Sequence, residues 1–153
     1  AYEMLRAAGV PCLISQYRYS MFDRTVEEKS LPLAAEQGSG FIAFSPLAQG
    51  LLTKKYLHGI PEHSRAARST GFLKVDQVTE DKVGKARRLD EIAARRGQTL
   101  AEMALAWVLK DERMTSVIVG TSSVKQLADN LHALDNLNFT NEELAEIEGI
   151  LRL

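Results

Sequence analysis

The chain has 153 residues, 45% hydrophobic and 25% charged, a composition sufficient for one domain with its own core. Lys and Arg total 19 against 20 Asp and Glu, a net charge of -1, so no overall field recruits nucleic acid or an anionic membrane. A single cysteine, Cys12, excludes an internal disulfide framework and fits a reducing compartment. With no apolar run near the ~20 residues of a membrane helix and no basic-then-apolar leader, a cytoplasmic location is expected.

Strands alternate with helices. Tyr2 to Ala8 reads as a short helix stopping at Gly9, and Cys12 to Tyr17 as a buried strand. Val26 to Glu36 reads as a helix that tightens or restarts at Pro32, with Gly38 and Gly40 closing it. Phe41 to Phe44 is almost wholly apolar, the pattern of a strand buried in a parallel sheet. Ser45 to Asp76 is a long connection carrying Lys54, Lys55, His58, His63, Arg65, Arg68 and Lys74. Thr79 caps a helix running to about Arg96, and Thr99 with Glu102 forms a capping box for the next, which includes Trp107. Ser116 to Val119 is the third buried strand expected. The turn Gly120-Thr-Ser-Ser123 leads into a helix from about Val124 to Ala133, and Thr140 with Glu143 opens the last helix, to about Leu151.

Helical connections make the three strands parallel to one another. A three-stranded parallel sheet has two bare edges, and an eight-stranded α/β barrel needs about 250 residues. The expected fold class is therefore α/β, part of a larger sheet or barrel that another segment completes, with residues 1–153 in one domain and no second domain. Its exposed edges make assembly into a homo-oligomer a further expectation.

Ligands of parallel α/β folds bind beyond the carboxyl ends of the strands. One such end carries Ser15, Gln16 and Tyr17; the second carries Phe44-Ser-Pro-Leu-Ala-Gln-Gly50; the third carries Gly120, Ser122 and Ser123, then Gln126, Asp129 and Asn130. At the third, a glycine and two hydroxyls at a helix start read either as an anion site or as ordinary N-capping. Lys54, Lys55, Arg65 and Arg68 read either as a phosphate clamp or as a solvated loop. Phe44 reads as a flat apolar platform for a ring or as a core side chain. Trp107 and Cys12 read as core, and His58 and His63 lack a third ligand at metal spacing.

Together, Gln16-Tyr-Arg-Tyr-Ser-Met-Phe22, Phe44-Ser-Pro-Leu-Ala-Gln-Gly50, Gly59-Ile-Pro-Glu-His-Ser-Arg65 and Val117-Ile-Val-Gly-Thr-Ser-Ser123 with Gln126-Leu-Ala-Asp-Asn130 make a specific pattern. The chain resembles the C-terminal half of the aldo-keto reductases, a group that includes the voltage-gated potassium channel β subunits and bacterial reductases of the L-glyceraldehyde 3-phosphate reductase type. The resemblance implies the C-terminal part of a (β/α)8 barrel in a protein that reduces a small carbonyl substrate with NADP(H). It implies that Gln16 holds the nicotinamide carboxamide, that Phe44 stacks on the ring, and that Ser45, Leu47, Gly50 and Lys55 follow the pyrophosphate. It further implies that Arg65, Gly120, Ser122 and Gln126 surround the 2′-phosphoribose, and that Asp129 and Asn130 meet the adenine; many relatives have Glu where Asp129 stands. The family's catalytic Asp, Tyr, Lys and His come from the first half of the barrel, so the resemblance places them in a missing N-terminal half. Tyr17, Tyr19, Lys54 and His58 align elsewhere and do not replace them. A nucleotide-binding regulatory module and a truncated, inactive product are the alternatives at this stage.

Overall fold

A computed structural model describes residues 1–62, 64, 66–67 and 73–152. The sheet is set by three short segments of high β propensity: β1 (Ile14–Arg18), β2 (Gly40–Phe44) and β3 (Ser116–Ile118). They lie in the order β1-β2-β3, both pairs parallel, with Gln16 opposite Ile42, Arg18 opposite Phe44 and Phe44 opposite Ile118. β2 starts at Gly40 because nothing larger fits: a Cβ there would lie 3.2 Å from the Thr115 hydroxyl and 3.3 Å from the Leu13 carbonyl. That close approach lets the Gly40 N–H donate to Leu13 O and the Phe41 N–H donate to Thr115 Oγ1.

Side chains alternate across the sheet, so each strand contributes to two faces. One face presents Phe41 and Ala43, fully buried among Leu31, Ala34, Leu89, Met103 and Trp107. The other presents Gln16, Arg18, Ile42, Phe44, Ser116 and Ile118, and among the described residues none of these is buried. The expectation that the first and third strands are buried is thus corrected: four of the five β1 residues and two of the three β3 residues are exposed.

Around the sheet stand α1 (Tyr2–Ala7), α2 (Ser30–Glu36), α3 (Glu80–Arg95), α4 (Leu100–Leu109), α5 (Val124–Leu131) and α6 (Asn141–Arg152). The helix expected from Val26 begins four residues later. From Ser30, Pro32 falls in the first turn, where a missing N–H costs nothing; from Val26 it would fall in the interior and break an intrahelical bond. The segment before it is held instead by side chains. Tyr19 donates its phenol proton to Glu27 at 2.7 Å, and Arg24 grips both Glu27 oxygens, pairs with Glu148 of α6, and lies 5.4 Å from the Trp107 ring. α5 stops at Leu131, and a 3-10 turn, His132–Asp135, completes the helix expected to Ala133. The two capping boxes form as the sequence predicts, Thr99 with Glu102 and Thr140 with Glu143. Trp107 is core; Cys12 is only half-buried, its Sγ 3.7 Å from the Ser39 hydroxyl. Among the described residues, no helix is long and apolar enough to cross a membrane.

Candidate functional site

The carboxyl ends of β2 and β3 open into a groove of about 640 Å³. Its floor is Phe44 and Ile118, opposite each other in the sheet register, with Val119 beyond. One wall is the loop after β2, through Ser45, Pro46, Leu47, Gln49 and Gly50 to Thr53 and Lys55. The other is Gly120, Ser122 and Gln126 at the start of α5.

The first wall is an unusual piece of backbone. Ser45, Ala48 and Gln49 have φ of 55°, 47° and 61°, all left-handed, and Gly50 follows at 100°. L-residues avoid this region because Cβ crowds the following carbonyl, at a cost of about 1–2 kcal/mol each. Tight turns hold the loop there: the Ala48 N–H donates to Ser45 O, the Gly50 N–H to Leu47 O and the Leu52 N–H to Leu47 O. The Gln49 side-chain amide adds a bond to Ser45 Oγ at 2.9 Å. Only glycine suits position 50, where φ is positive and a Cβ would touch the Tyr56 ring at 3.4 Å. Thr53 bonds to Gly50 O at 2.7 Å and accepts the Lys55 N–H at 3.2 Å, which sets Lys55 at the groove.

At the second wall the two readings of the serines divide between neighbours. Ser123 is the N-cap of α5, accepting the Gln126 N–H at 3.1 Å. Ser122 is not a cap: its N–H and hydroxyl both donate to Gln126 Oε1, at 2.9 and 3.1 Å. The groove therefore meets a helix N-terminus with a polar side chain folded over it.

Of the residues singled out in the sequence, Phe44, Ser45, Leu47, Gly50, Lys55, Gly120, Ser122 and Gln126 come together here. Gln16 does not line the groove, although it shares the open sheet face with Phe44. Asp129 pairs with Lys125 on the outside of α5 at 2.9 Å. Asn130 is buried, and its Nδ2 has no hydrogen-bond partner among the described residues. Lys54 turns to Asp90 at 3.5 Å, leaving Lys55 as the groove's cation. Arg65, Arg68 and His63 lie outside the described residues. No three His, Cys, Asp or Glu side chains among the described residues converge as a metal site.

Sequence reading missed Gln49, Thr53, Ile118 and Val119. Gln49 and Thr53 flank Gly50, a glycine that marks the turn but not which neighbours face inward. Ile118 and Val119 looked like core because an apolar strand end carries no sign of facing a groove rather than a helix. Among the described residues the lining contains one lysine and no carboxylate. An aromatic face at the floor, hydroxyls and a lysine along one wall, and a helix N-terminus on the other can take a flat ring joined to an anionic chain.

The aldo/keto reductase family model matches residues 1–152. The chain belongs to the aldo/keto reductase family. It is 47% identical over 150 residues to an L-glyceraldehyde 3-phosphate reductase of Escherichia coli O157:H7, and 45% identical to that of strain K12. Each alignment covers 95% of this chain and 43% of the relative, so the chain spans less than half the length of these curated relatives.

Proposed function

We propose that this chain is the C-terminal, nucleotide-holding portion of a (β/α)8 barrel whose whole polypeptide reduces small aldehydes or ketones with NADP(H). The observation that carries the reading is the groove in which eight residues named from the sequence converge on two strand ends, with no carboxylate among its described lining residues. The fit is also chemical. The Phe44 ring offers a platform of nicotinamide size, the left-handed Ser45–Gly50 backbone lets a pyrophosphate approach closely, and Lys55 offsets its charge. Gln16 stands on the same sheet face as Phe44, and the resemblance assigns it to the carboxamide. At the helix start Ser122 and Gln126 hold each other, a bond that both could exchange for a 2′-phosphate, and Asn130, buried in this structure, is assigned to the adenine by resemblance. Asp129 and Arg65 are assigned to the same nucleotide end by resemblance.

When bound, the reduced nicotinamide supplies a hydride for the carbonyl carbon. The groups that donate the proton belong, in this reading, to a part of the polypeptide outside these residues. That part also supplies the strands that cover the open sheet face and the apolar stripe of α5, where Val124, Leu127 and Leu131 are exposed. The barrel that results is cytoplasmic in this reading.

Equilibrium titration of NADPH and NADH against the full-length polypeptide tests it. NADPH is expected to bind more than about tenfold tighter, the worth of one well-formed charge-assisted hydrogen bond. Arg65→Ala should weaken NADPH selectively, and Lys55→Ala should weaken both nucleotides. Equal binding of the two, or equal weakening by Arg65→Ala, sinks the 2′-phosphate assignment.

A further inference from the structure

The lysine of the groove stands on a turn that holds itself poorly. Lys54–Tyr56 is a single 3-10 turn whose closing bonds are long for N–H···O: the Leu57 N–H reaches Lys54 O at 3.4 Å, and the Gly59 N–H reaches Tyr56 O at 3.4 Å. Packing fixes its inner side, since Tyr56 and Leu57 are buried. Its outer side is fixed by α3, no described residue of which lines the groove. Arg87 Nε and Nη2 both donate to the Leu57 carbonyl, at 3.0 and 2.8 Å, and Nη1 donates to Glu80 at 3.0 Å. Three residues further along the helix, Asp90 pairs with Lys54 at 3.5 Å. α3 is a firm base for both contacts, with Ala86, Leu89, Ile92 and Ala93 buried in the core.

Two successive lysines on this turn are thereby sent to different places. Lys54 is drawn outward to Asp90, while Lys55, exposed and without an ion pair among the described residues, lines the groove. The same turn is tied to the left-handed loop, because Thr53, its N-cap, donates to the Gly50 carbonyl at 2.7 Å. A shift of the turn therefore moves both the groove's cation and the glycine of its wall.

We infer that Arg87, assisted by Asp90, is a positioning residue of the groove: from outside it, α3 fixes the turn so that Lys55 meets the anionic chain of the nucleotide. The inference rests on the nucleotide reading of the groove. Arginine suits this role because its planar fork aims two N–H groups at one carbonyl oxygen and keeps its charge at every working pH.

The test measures nucleotide affinity and release rate in the full-length polypeptide. Arg87→Ala should weaken NADPH and NADH by the same factor, about fivefold, mainly through faster release, since the pyrophosphate is common to both. Arg87→Lys should recover part of the loss, and Asp90→Asn, which breaks an exposed pair, should cost about twofold. In the Lys55→Ala background the Arg87→Ala step should cost less than about twofold, because the lysine it places is gone. The single-turnover rate of carbonyl reduction at saturating NADPH should stay within about twofold of wild type. Equal weakening with and without Lys55, or none at all, overturns the proposal. If Arg87→Ala does not fold, Arg87→Lys and Asp90→Asn carry the same cycle. A second readout needs no nucleotide: acylation of Lys55 by acetic anhydride, mapped by mass spectrometry, with inorganic pyrophosphate as competitor. Pyrophosphate should protect Lys55 in wild type, and Arg87→Ala should need at least about fivefold more of it. Unchanged protection in Arg87→Ala, or none in wild type, also overturns the proposal. If wild type binds neither nucleotide while pyrophosphate protects Lys55 in an Arg87-dependent way, the nucleotide reading falls and the α3 anchor of an anion groove stands.

Discussion

The two faces of the same three strands could hardly differ more. On one, Phe41 and Ala43 are wholly buried under helices; on the other, Phe44 and Ile118 floor a groove and Ile118 is 47% exposed. Phe41 and Phe44 are three residues apart on one strand and have the same side chain, so residue type does not decide their roles. Alternation does: the odd positions of β2 face helices and the even positions face the open side of the sheet. The comparison teaches that one face holds the strands and helices together, while the other is left to line a groove.

The largest test removes everything outside these residues. Expressed alone, the 153-residue chain is expected to unfold without a sharp transition and to bind a hydrophobic dye. Leu13, Ile14, Val124 and Leu131 are each more than half exposed, the first two where the chain enters β1 at one sheet edge and the others on α5 beyond the other. A cooperative calorimetric transition from a monomer would show that the open face needs no cover. Next in size is the phenylalanine pair in the full-length protein. Phe41→Ala should cost about 3–5 kcal/mol in denaturant unfolding, the usual cost of emptying an aromatic core site. Phe44→Ala should cost far less stability and weaken the nucleotide instead. Comparable stability losses would erase the distinction between the faces.

The smallest test is acid titration of the closed side. Burial pushes the Glu27 carboxyl up, but hydrogen bonds from Arg24 and Tyr19 and the charges of Arg24 and Lys110 outweigh it and hold the group below the usual carboxylate range. Glu148 is held low chiefly by its hydrogen bond from Arg24. The folded protein thus keeps both ionised at a pH where the unfolded chain takes up protons. Their stabilisation is full above the ordinary carboxylate pKa and is lost as pH falls through the lowered values. Glu27→Gln should lower stability at neutral pH and flatten this acid limb; an unchanged slope would remove Glu27 from the account. Tyr19, buried and bonded to Glu27, has its phenol pushed far up and stays protonated throughout.

Much of this was legible in the sequence, for identifiable reasons. Caps are local chemistry, so Thr99 with Glu102 and Thr140 with Glu143 announced two helix starts correctly. The parallel direction of the strands followed from the helical connections. Burial of β1 and β3 was misread because apolar composition reports what a strand wants covered, and the cover is not among these residues. The α2 start was misplaced because the Tyr19–Glu27–Arg24 contacts join residues whose pairing no periodicity encodes. The rule that ligands bind beyond the carboxyl ends of parallel strands pointed to the loop that lines the groove. It gave no hint that Ser45, Ala48 and Gln49 are left-handed, because none of these residue types prefers that conformation.

Those three residues have a practical consequence for anyone engineering the protein. Glycine would relieve the crowding at each of them, against the roughly 0.5–1 kcal/mol it forfeits in chain entropy. At position 45 the exchange removes the hydroxyl at the groove, and at position 49 the amide that holds it. Ala48 contributes only a methyl group, packed at the edge of the core. It is the place in the loop where robustness can be raised while the binding groups stay in position.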